Sequence, residues 1–169
     1  AAVTLYAVWG VKEGTVSLTY HSNFGTDQAS TDSGLANNSL VTVKGYGETG
    51  LPARVGYTFQ GWSTAPGGSV MFGAGASVRV NANGANDLYA VWTANTDTKY
   101  TVEFYYINDD GSYPGTPNQT DSCTGTTDTA VSVTDADKAD KENGKYTYDT
   151  GAANVESATL SGDGTTVLK

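Results

Sequence analysis

The sequence predicts a mainly β protein, with a short helix as its α+β element, built from two small tandem modules. The word LYAVW at residues 5–9 recurs letter for letter at residues 88–92, and such a recurrence indicates a tandem repeat. Gly accounts for 21 residues while only 16% of the chain is charged, a composition typical of short strands and tight turns. Segments such as TVSLTY at residues 15–20 alternate apolar and polar residues, the pattern of a strand with one buried face.

Further strands follow in order along the chain. Segments rich in Val and Thr predict strands at residues 40–44, 77–81, 129–133 and 165–169. YTVEFYY at residues 100–106 echoes TVSLTY, and KYTY at residues 145–148 echoes GYTF at residues 56–59. Asn-Gly, Asp-Gly and Pro-Gly-Gly words between these segments predict tight turns. One helix is predicted at residues 134–143, where Thr134 or Asp135 caps the start and Asn143-Gly144 ends it.

The repeat also predicts the domain boundaries. LYAVW is apolar on both faces, so its copy at residues 88–92 should lie inside a sheet beside TVSLTY, burying Trp92 and Val16 together. Residues 1–14 are predicted to be the last strand of a preceding repeat plus a linker, and residues 1–9 to pair with an edge of the first module or of another molecule. The modules are then residues 15–93 and 100–169, joined by a polar linker at residues 94–99.

The stretch VGYTFQGWSTAPGG together with the closing LYAVW resembles the Listeria-Bacteroides repeat, also called the internalin B-repeat. Residues 100–169 are similar to mucin-binding-protein (MucBP-like) repeats through YTVEFYY, the Asp109-Asp110-Gly111-Ser112 turn and GDGTTVL. The resemblance implies two small ubiquitin-like β-grasp modules on a bacterial surface protein. Because the chain begins within the repeat word, we expect it to be a segment of a longer polypeptide whose signal peptide and anchor lie outside it.

Charge and composition argue against several partners. The formal net charge of −9 repels phosphate backbones, so nucleic acid is not expected as a partner. No apolar run reaches the roughly 20 residues that a membrane-spanning helix needs, so no membrane insertion is expected in this segment. The single cysteine, Cys123, cannot form an internal disulfide.

The sequence offers no set of catalytic residues, and we expect neither an enzyme nor a cofactor. An active site needs a base, a nucleophile or metal, and charge-stabilising groups that converge in one pocket. His21 and Cys123 are the sole members of their types and fall in different predicted modules. They are also too few for a structural zinc site, which needs four such ligands.

Two adjacent carboxylates are the candidate metal ligands. Asp109 and Asp110 crowd a turn with Asn108 and Ser112, and such oxygen ligands suit calcium. The distal bidentate Glu of a complete calcium loop is missing, so the sequence favours a hairpin turn over an ion site. Neither calcium nor an intramolecular isopeptide bond is predicted from a specific residue pattern.

The aromatic residues are the remaining candidates for binding. Tyr57, Phe59, Trp62 and Trp92 occupy strand positions and are predicted to form core. Tyr105 and Tyr113 are predicted to be exposed, and exposed rings can stack on sugars or on partner side chains. Single exposed aromatic residues are nevertheless ordinary.

Two function classes therefore remain. The favoured one is a non-catalytic stalk or spacer on a bacterial cell surface, in which neighbouring modules contact one another and project other domains outward. The alternative is an adhesive module that binds host glycans, mucin or surface proteins through many weak contacts.

Overall fold

The computed structural model describes residues 14–169, so the predicted strand at residues 1–9 and its expected pairing lie outside the described residues. Within them the chain forms eleven strands, two 3₁₀ helices (Tyr46–Glu48 and Glu142–Gly144) and no α-helix. The mainly β class is therefore confirmed. The strands are β1 (Thr15–His21), β2 (Ala29–Ala36), β3 (Leu40–Thr42), β4 (Tyr57–Ser63), β5 (Ser77–Arg79), β6 (Asp87–Ala94), β7 (Thr98–Phe104), β8 (Gln119–Gly125), β9 (Ala130–Ser132), β10 (Ser157–Thr159) and β11 (Val167–Leu168).

The described residues divide into two compact units. Unit 1 comprises residues 14–53 and 59–92, and unit 2 comprises residues 54–58 and 93–169. None of the helices in the described part of the chain has the length and apolar character needed to cross a membrane.

Unit 1 is built on a four-stranded sheet of order β2-β1-β6-β4 with a separate β3–β5 ribbon. Strand β1 pairs antiparallel with β2 and parallel with β6, where Tyr20 lies opposite Leu88. The prediction that LYAVW lies inside the sheet beside TVSLTY is confirmed, because β6 has β1 on one side and β4 on the other. A strand that is covered on both faces can be apolar on both.

The core of unit 1 is aromatic at its centre. Trp62 and Tyr20 are fully buried with Leu18 and Leu88, while Val16, Phe59 and Trp92 pack against this cluster as half-buried side chains. Tyr57, also predicted to form core, does not belong to this cluster and is a half-buried residue of unit 2. Its hydroxyl donates to Asp128 at 2.6 Å, and the Arg54 guanidinium lies 3.6 Å from its ring centroid.

Unit 2 has a three-stranded sheet of order β11-β7-β8 and a β9–β10 ribbon. Strand β7 pairs antiparallel with β8 and parallel with β11, and Val102, Leu160 and Leu168 form the buried apolar centre. In each unit the first strand thus pairs antiparallel with the second strand and parallel with the last. The connection between β6 and β7 is residues 95–97, shorter than the predicted linker, because β7 begins at the buried residue Thr98.

The predicted helix at residues 134–143 is wrong. The Thr134 amide and hydroxyl donate to Asp137 Oδ2 at 2.6 and 2.8 Å, so a helix-start motif is present, yet the chain continues in turns. Forming the first turn of a helix costs free energy, and a helix grows beyond it mainly where its residues bury an apolar face against the rest of the protein. This polar segment has no such apolar face. Glu142 and Asn143 then take φ values of 51° and 55°, which ends any right-handed helix.

Candidate functional site

A groove with a volume of about 680 Å³ lies within unit 2. The lining comprises the end of β7 and the residues that follow it, Phe104 to Ile107, together with residues 113–115, 137–139, 141, 145–149 and 152–154. Lys169, next to the end of β11, closes the lining. This volume matches that of small-molecule sites, which commonly hold about 300 to 1,000 Å³. We call this feature the unit 2 groove.

A short hairpin supplies one wall of the groove. Lys141 and Tyr146 form an antiparallel bridge, in which each amide donates to the other carbonyl at 2.9 and 3.3 Å. The 3₁₀ turn Glu142–Gly144 connects them, and Gly144 has a φ of 84°, a conformation that glycine adopts without steric cost. Residues opposite each other on an antiparallel pair project to the same face, so the bridge places the Lys141 and Tyr146 side chains together.

Six aromatic side chains line the groove. The rings of Tyr106 and Tyr146 stack with centroids 4.7 Å apart and an interplanar angle of 20°. Tyr113 is 42% exposed, and the other lining rings, those of Phe104, Tyr105, Tyr106, Tyr146 and Tyr148, are half-buried.

The phenol hydroxyls fix several of these rings in place. Tyr113 donates to Asp149 at 2.8 Å, Tyr148 donates to Glu156 at 2.7 Å, and Tyr105 donates to Glu103 at 2.7 Å. A ring held by such a bond at its tip and by packing along its body is ordered before a ligand arrives, which lowers the entropic cost of binding.

Four lysines line the same groove, and each ammonium lies over an aromatic ring. Such cation–π contacts hold the amine against the ring without neutralising its charge. The distances from Nζ to the ring centroid are 5.2 Å for Lys138 over Tyr148, 4.6 Å for Lys141 over Phe104, 4.8 Å for Lys145 over Tyr146 and 5.4 Å for Lys169 over Tyr105.

The four lysines differ in whether a carboxylate neutralises them. Lys138 Nζ lies 2.6 Å from Glu156, and Lys169 Nζ lies 3.7 Å from Glu103. Neither Lys141 nor Lys145 has a carboxylate oxygen within 4.0 Å among residues 14–169. The unit 2 groove therefore presents two ammonium groups without a direct counter-ion.

Hydrogen bonds to carboxylates raise the pKa values of three phenols and one ammonium group of the groove. Hydrogen bonds to Glu103, Asp149 and Glu156 raise the pKa values of Tyr105, Tyr113 and Tyr148, respectively. The ion pair with Glu156 also raises the pKa of Lys138. These phenols stay protonated donors, and the Lys138 ammonium stays charged.

The predicted binding residues Tyr105 and Tyr113 both line the groove. Tyr113 is exposed as predicted, whereas Tyr105 is half-buried because its hydroxyl turns back to Glu103 and Lys169 covers its ring. Sequence patterns do not single out Lys138, Lys141 and Lys145 as site residues, since Lys138 and Lys141 fall in the predicted helix at residues 134–143 and Lys145 begins the strand-like KYTY at residues 145–148. The available signal is KYTY at residues 145–148, in which Lys145 directly precedes Tyr146 and Tyr148 follows two residues later.

The candidate calcium ligands lie in a turn of the β7–β8 connection, where the Gly111 amide donates to the Asn108 carbonyl at 3.0 Å. Asp110 Oδ1 accepts hydrogen bonds from the Ser112 amide at 2.9 Å and from the Ser112 hydroxyl at 2.6 Å, and these bonds lower the pKa of Asp110. Asp109 is exposed beside it. Within residues 14–169, no three His, Cys, Asp or Glu side chains are grouped so that they could hold a metal ion.

His21 and Cys123 belong to different units. His21 lies in unit 1 between Asp27 and Asp87, and Cys123 is a half-buried free thiol opposite Tyr100 in the β7–β8 pair. The two residues therefore do not form the thiol–imidazole pair of a cysteine nucleophile within either unit.

No protein-family model, no curated protein and no solved structure matches this chain. What the unit 2 groove can do is therefore inferred from its own residues.

Proposed function

We propose that this chain is a non-catalytic segment of a bacterial cell-surface protein and that unit 2 binds a glycan in its groove. The observation that carries the proposal is the lining of that groove, where exposed Tyr113 and five half-buried aromatic rings surround a space large enough for a few sugar residues. The alternative function predicted from the sequence, adhesion, is thus the one that the geometry supports best.

Sugars suit this lining for a physical reason. One face of a pyranose ring carries C–H groups that pack on an aromatic ring, while its hydroxyls need donors and acceptors at the edge. Tyrosine supplies both an apolar face and a polar tip, and the Lys138 and Lys169 ammonium groups add donors around the rings. The mixture of apolar surface with a few polar groups is typical of ligand sites.

The protonation states support binding over catalysis. A general base works best when its pKa lies near the operating pH. In the groove the pKa values of Tyr105, Tyr113, Tyr148 and Lys138 are all raised, which moves them further from neutrality. These groups donate hydrogen bonds well and abstract protons poorly.

We propose that the two units are tandem β-grasp modules of the two families that the sequence resembles. In support, each unit pairs its first strand antiparallel with the second and parallel with the last. Repetition of such modules along one polypeptide would let weak sites act together, since linked sites gain affinity from effective concentration. The proposed partners are neighbouring modules of the same polypeptide and a host glycan or glycosylated protein, outside the cell.

A stalk or spacer is the second candidate function. It is supported by the recurrence of LYAVW and by the division of the described residues into two compact units. Repeated modules joined by short connections extend a polypeptide by contacting mainly their neighbours.

A glycan array probed with the full chain, displayed in many copies on a bead, separates these functions. We expect reproducible binding that free glycan competes away and that Tyr113→Ser weakens about three- to tenfold, the worth of one ring contact. Tyr57→Ser is the matched control, because Tyr57 lies outside the groove, and it should leave binding unchanged. A folded chain that binds no glycan on the array would refute the adhesive function and favour the spacer.

A further inference from the structure

We propose that the glycan bound by the unit 2 groove is acidic, and that Lys141 and Lys145 bind its carboxylate or sulfate group. This inference rests on the proposed function and specifies the ligand class of the same site. It is carried by the two ammonium groups without a direct counter-ion at the aromatic wall of the groove.

The distribution of charge is the first observation. The chain has 18 acidic and 9 basic residues, so an average patch of its surface is negative. The groove nevertheless gathers four lysines, together with the carboxylates of Glu103, Asp137 and Asp149. Glu156 and Glu103 lie next to Lys138 and Lys169, and Asp109 and Glu142 lie near Lys145. The attraction for an anion therefore comes from the individual ammonium groups of Lys141 and Lys145 and not from a net positive charge of the groove.

The groove carboxylates are also occupied by groups of the protein. Asp137 accepts hydrogen bonds from the Thr134 amide and hydroxyl. Asp149 accepts from the Tyr113 hydroxyl and from the Gly151 amide at 2.8 Å each. Among residues 14–169 no carboxylate oxygen lies within 4.0 Å of Lys141 or Lys145 Nζ, although Asp109 and Glu142 are near enough to contribute to the raised pKa of Lys145, after the hydrogen bond with Tyr146.

Lys141 is the stronger of the two anion ligands. Its side chain is half-buried, its Nζ lies 4.6 Å from the Phe104 centroid, and its hydrogen-bond partner is the Ala136 carbonyl at 3.3 Å. An ammonium has three donors, and one long bond to a carbonyl leaves donors to spare. A partly desolvated charge with no counter-ion is costly, and a ligand anion would remove that cost.

Lys145 supplies a second cation to the lining of the groove. It is exposed on the hairpin that the Lys141–Tyr146 bridge closes, and its Nζ lies 4.8 Å from the Tyr146 centroid. Tyr146 stacks on Tyr106, and this stacking fixes the ring against which the Lys145 ammonium lies. A carboxylate or sulfate has several acceptor oxygens, so one such group can bind two ammonium groups through charge-assisted bonds.

The test compares acidic and neutral forms of one sugar on the full chain. We expect 3′-sialyllactose and 3′-sulfolactose to shift the amide NMR signals of residues 137–149, each with at least about tenfold higher affinity than lactose. Raising the salt from 50 to 500 mM should weaken the acidic sugars and leave lactose nearly unchanged. Comparing the two acidic sugars shows whether carboxylate or sulfate is the better ligand.

The variants identify the residues. Lys141→Gln should weaken binding of the acidic sugars about tenfold and Lys145→Gln about threefold, with lactose unaffected by either. Lys99→Gln makes the same charge change at an exposed residue of β7 that does not line the groove and should have no effect. If Lys141→Gln disturbs the spectrum of unit 2, the exposed Lys145→Gln carries the test.

The outcomes separate this inference from the function on which it rests. Equal affinity for lactose and the acidic sugars, or acidic-sugar binding that neither lysine variant weakens, would overturn the anion site while leaving glycan binding intact. Binding of a poly-Glu peptide but of none of the three sugars would overturn both. So would the absence of any binding.

Discussion

The indole ring of Trp62 packs edge-to-face against the phenol ring of Tyr20, with centroids 4.9 Å apart and both side chains fully buried. The Trp62 ring also lies 5.0 Å from Phe59, and its Nε1 donates to the Lys44 carbonyl at 2.8 Å. The indole thus joins β4, β1 and the segment after β3 into one interior.

Truncating Trp62 should therefore destabilise unit 1 strongly. For Trp62→Ala we expect a loss of about 3 to 5 kcal/mol of unfolding free energy, because the cavity adds to the lost burial. Urea denaturation followed by circular dichroism measures it. Leu40→Ala, at a side chain that is 62% exposed, should change stability by less than about 0.5 kcal/mol. Similar losses for the two variants would refute this assignment of the core.

The apolar pattern predicted the central strands and missed the polar ones. Strands β1, β6 and β7 bury Leu18, Leu88 and Val102, and their alternation or repetition is visible in the sequence. Strands β2 (ASTDSGLA) and β8 (QTDSCTG) show no such alternation. They form because β1 and β7 offer backbone partners to them, and backbone pairing leaves little trace in side-chain type.

The site was only partly predictable, for a similar reason. Tyr105 and Tyr113 could be identified as exposed-aromatic candidates, but the lysines come together through the hairpin at residues 141–146 and the fold of unit 2. The same Lys and Asp residues satisfy the rules for helix ends, so local sequence favoured a helix. Tertiary contacts with Phe104 and Tyr148 decided otherwise.

The stability of unit 1 should depend on pH through His21. Its Nδ1 lies 2.7 Å from Asp27 and its Nε2 lies 3.1 Å from Asp87, and the ring stacks on Tyr89 with centroids 4.4 Å apart. Only the imidazolium can donate to both carboxylates. Burial lowers the pKa of His21, but the two hydrogen bonds outweigh burial and raise it above its ordinary 6.5.

The direction of this pH dependence follows from the linkage between protonation and folding. Because the folded pKa of His21 is raised, its contribution is fully present below pH 6.5 and is lost as the pH rises through the folded value. Burial raises the pKa of Asp27, but bonds from the Asn23 amide, His21 and Ser22 lower it below 3.8 overall. Its contribution is therefore present above pH 3.8 and is lost as the pH falls further.

Urea midpoints measured from pH 4 to 9 test this dependence. We expect His21→Asn to be less stable than the parent chain below pH 6.5 and to lack the parent's decline on the alkaline side. Since His21 is the one histidine of the chain, the difference between the two profiles isolates its titration. Parallel profiles would contradict the role of the Asp27–His21–Asp87 contact.

Gly162 should tolerate no side chain. A Cβ placed there would clash with the Val55 carbonyl oxygen and would lie 2.9 Å from the Gly56 Cα, closer than real Cβ atoms approach such atoms. Because both obstacles are backbone atoms, Gly162→Ala should cost about 1 to 3 kcal/mol. Hydrogen exchange of the β7 amides reports the loss in unit 2.

Gly115→Ala is the matched control, since nothing lies within 4 Å of its Cβ position. It should leave the exchange rates of β7 unchanged. If Gly162→Ala exchanged no faster than Gly115→Ala, the close backbone approach at Gly162 would be refuted.

The hydroxyl pair of Thr98 and Thr127 should show strong non-additivity. The two Oγ1 atoms lie 2.7 Å apart, and both residues are buried. Thr127→Val leaves the Thr98 hydroxyl buried without this partner, and a buried polar group without a partner costs about 1 to 3 kcal/mol. Thr98→Val should lower the unfolding free energy by a similar amount, because it leaves the Thr127 hydroxyl without this partner.

Replacing both threonines with valine removes both hydroxyls and keeps the shape of the pair, so we expect the double variant to be more stable than either single variant and close to the parent chain. Exchange of the β7 amides in all four proteins of the cycle gives the coupling free energy. Each single variant leaves one buried hydroxyl without its partner, whereas the double variant leaves none. A double variant that is more stable than either single variant therefore distinguishes a hydrogen-bonded pair from simple packing. Single-variant losses that add up in the double variant would show that the two hydroxyls act independently.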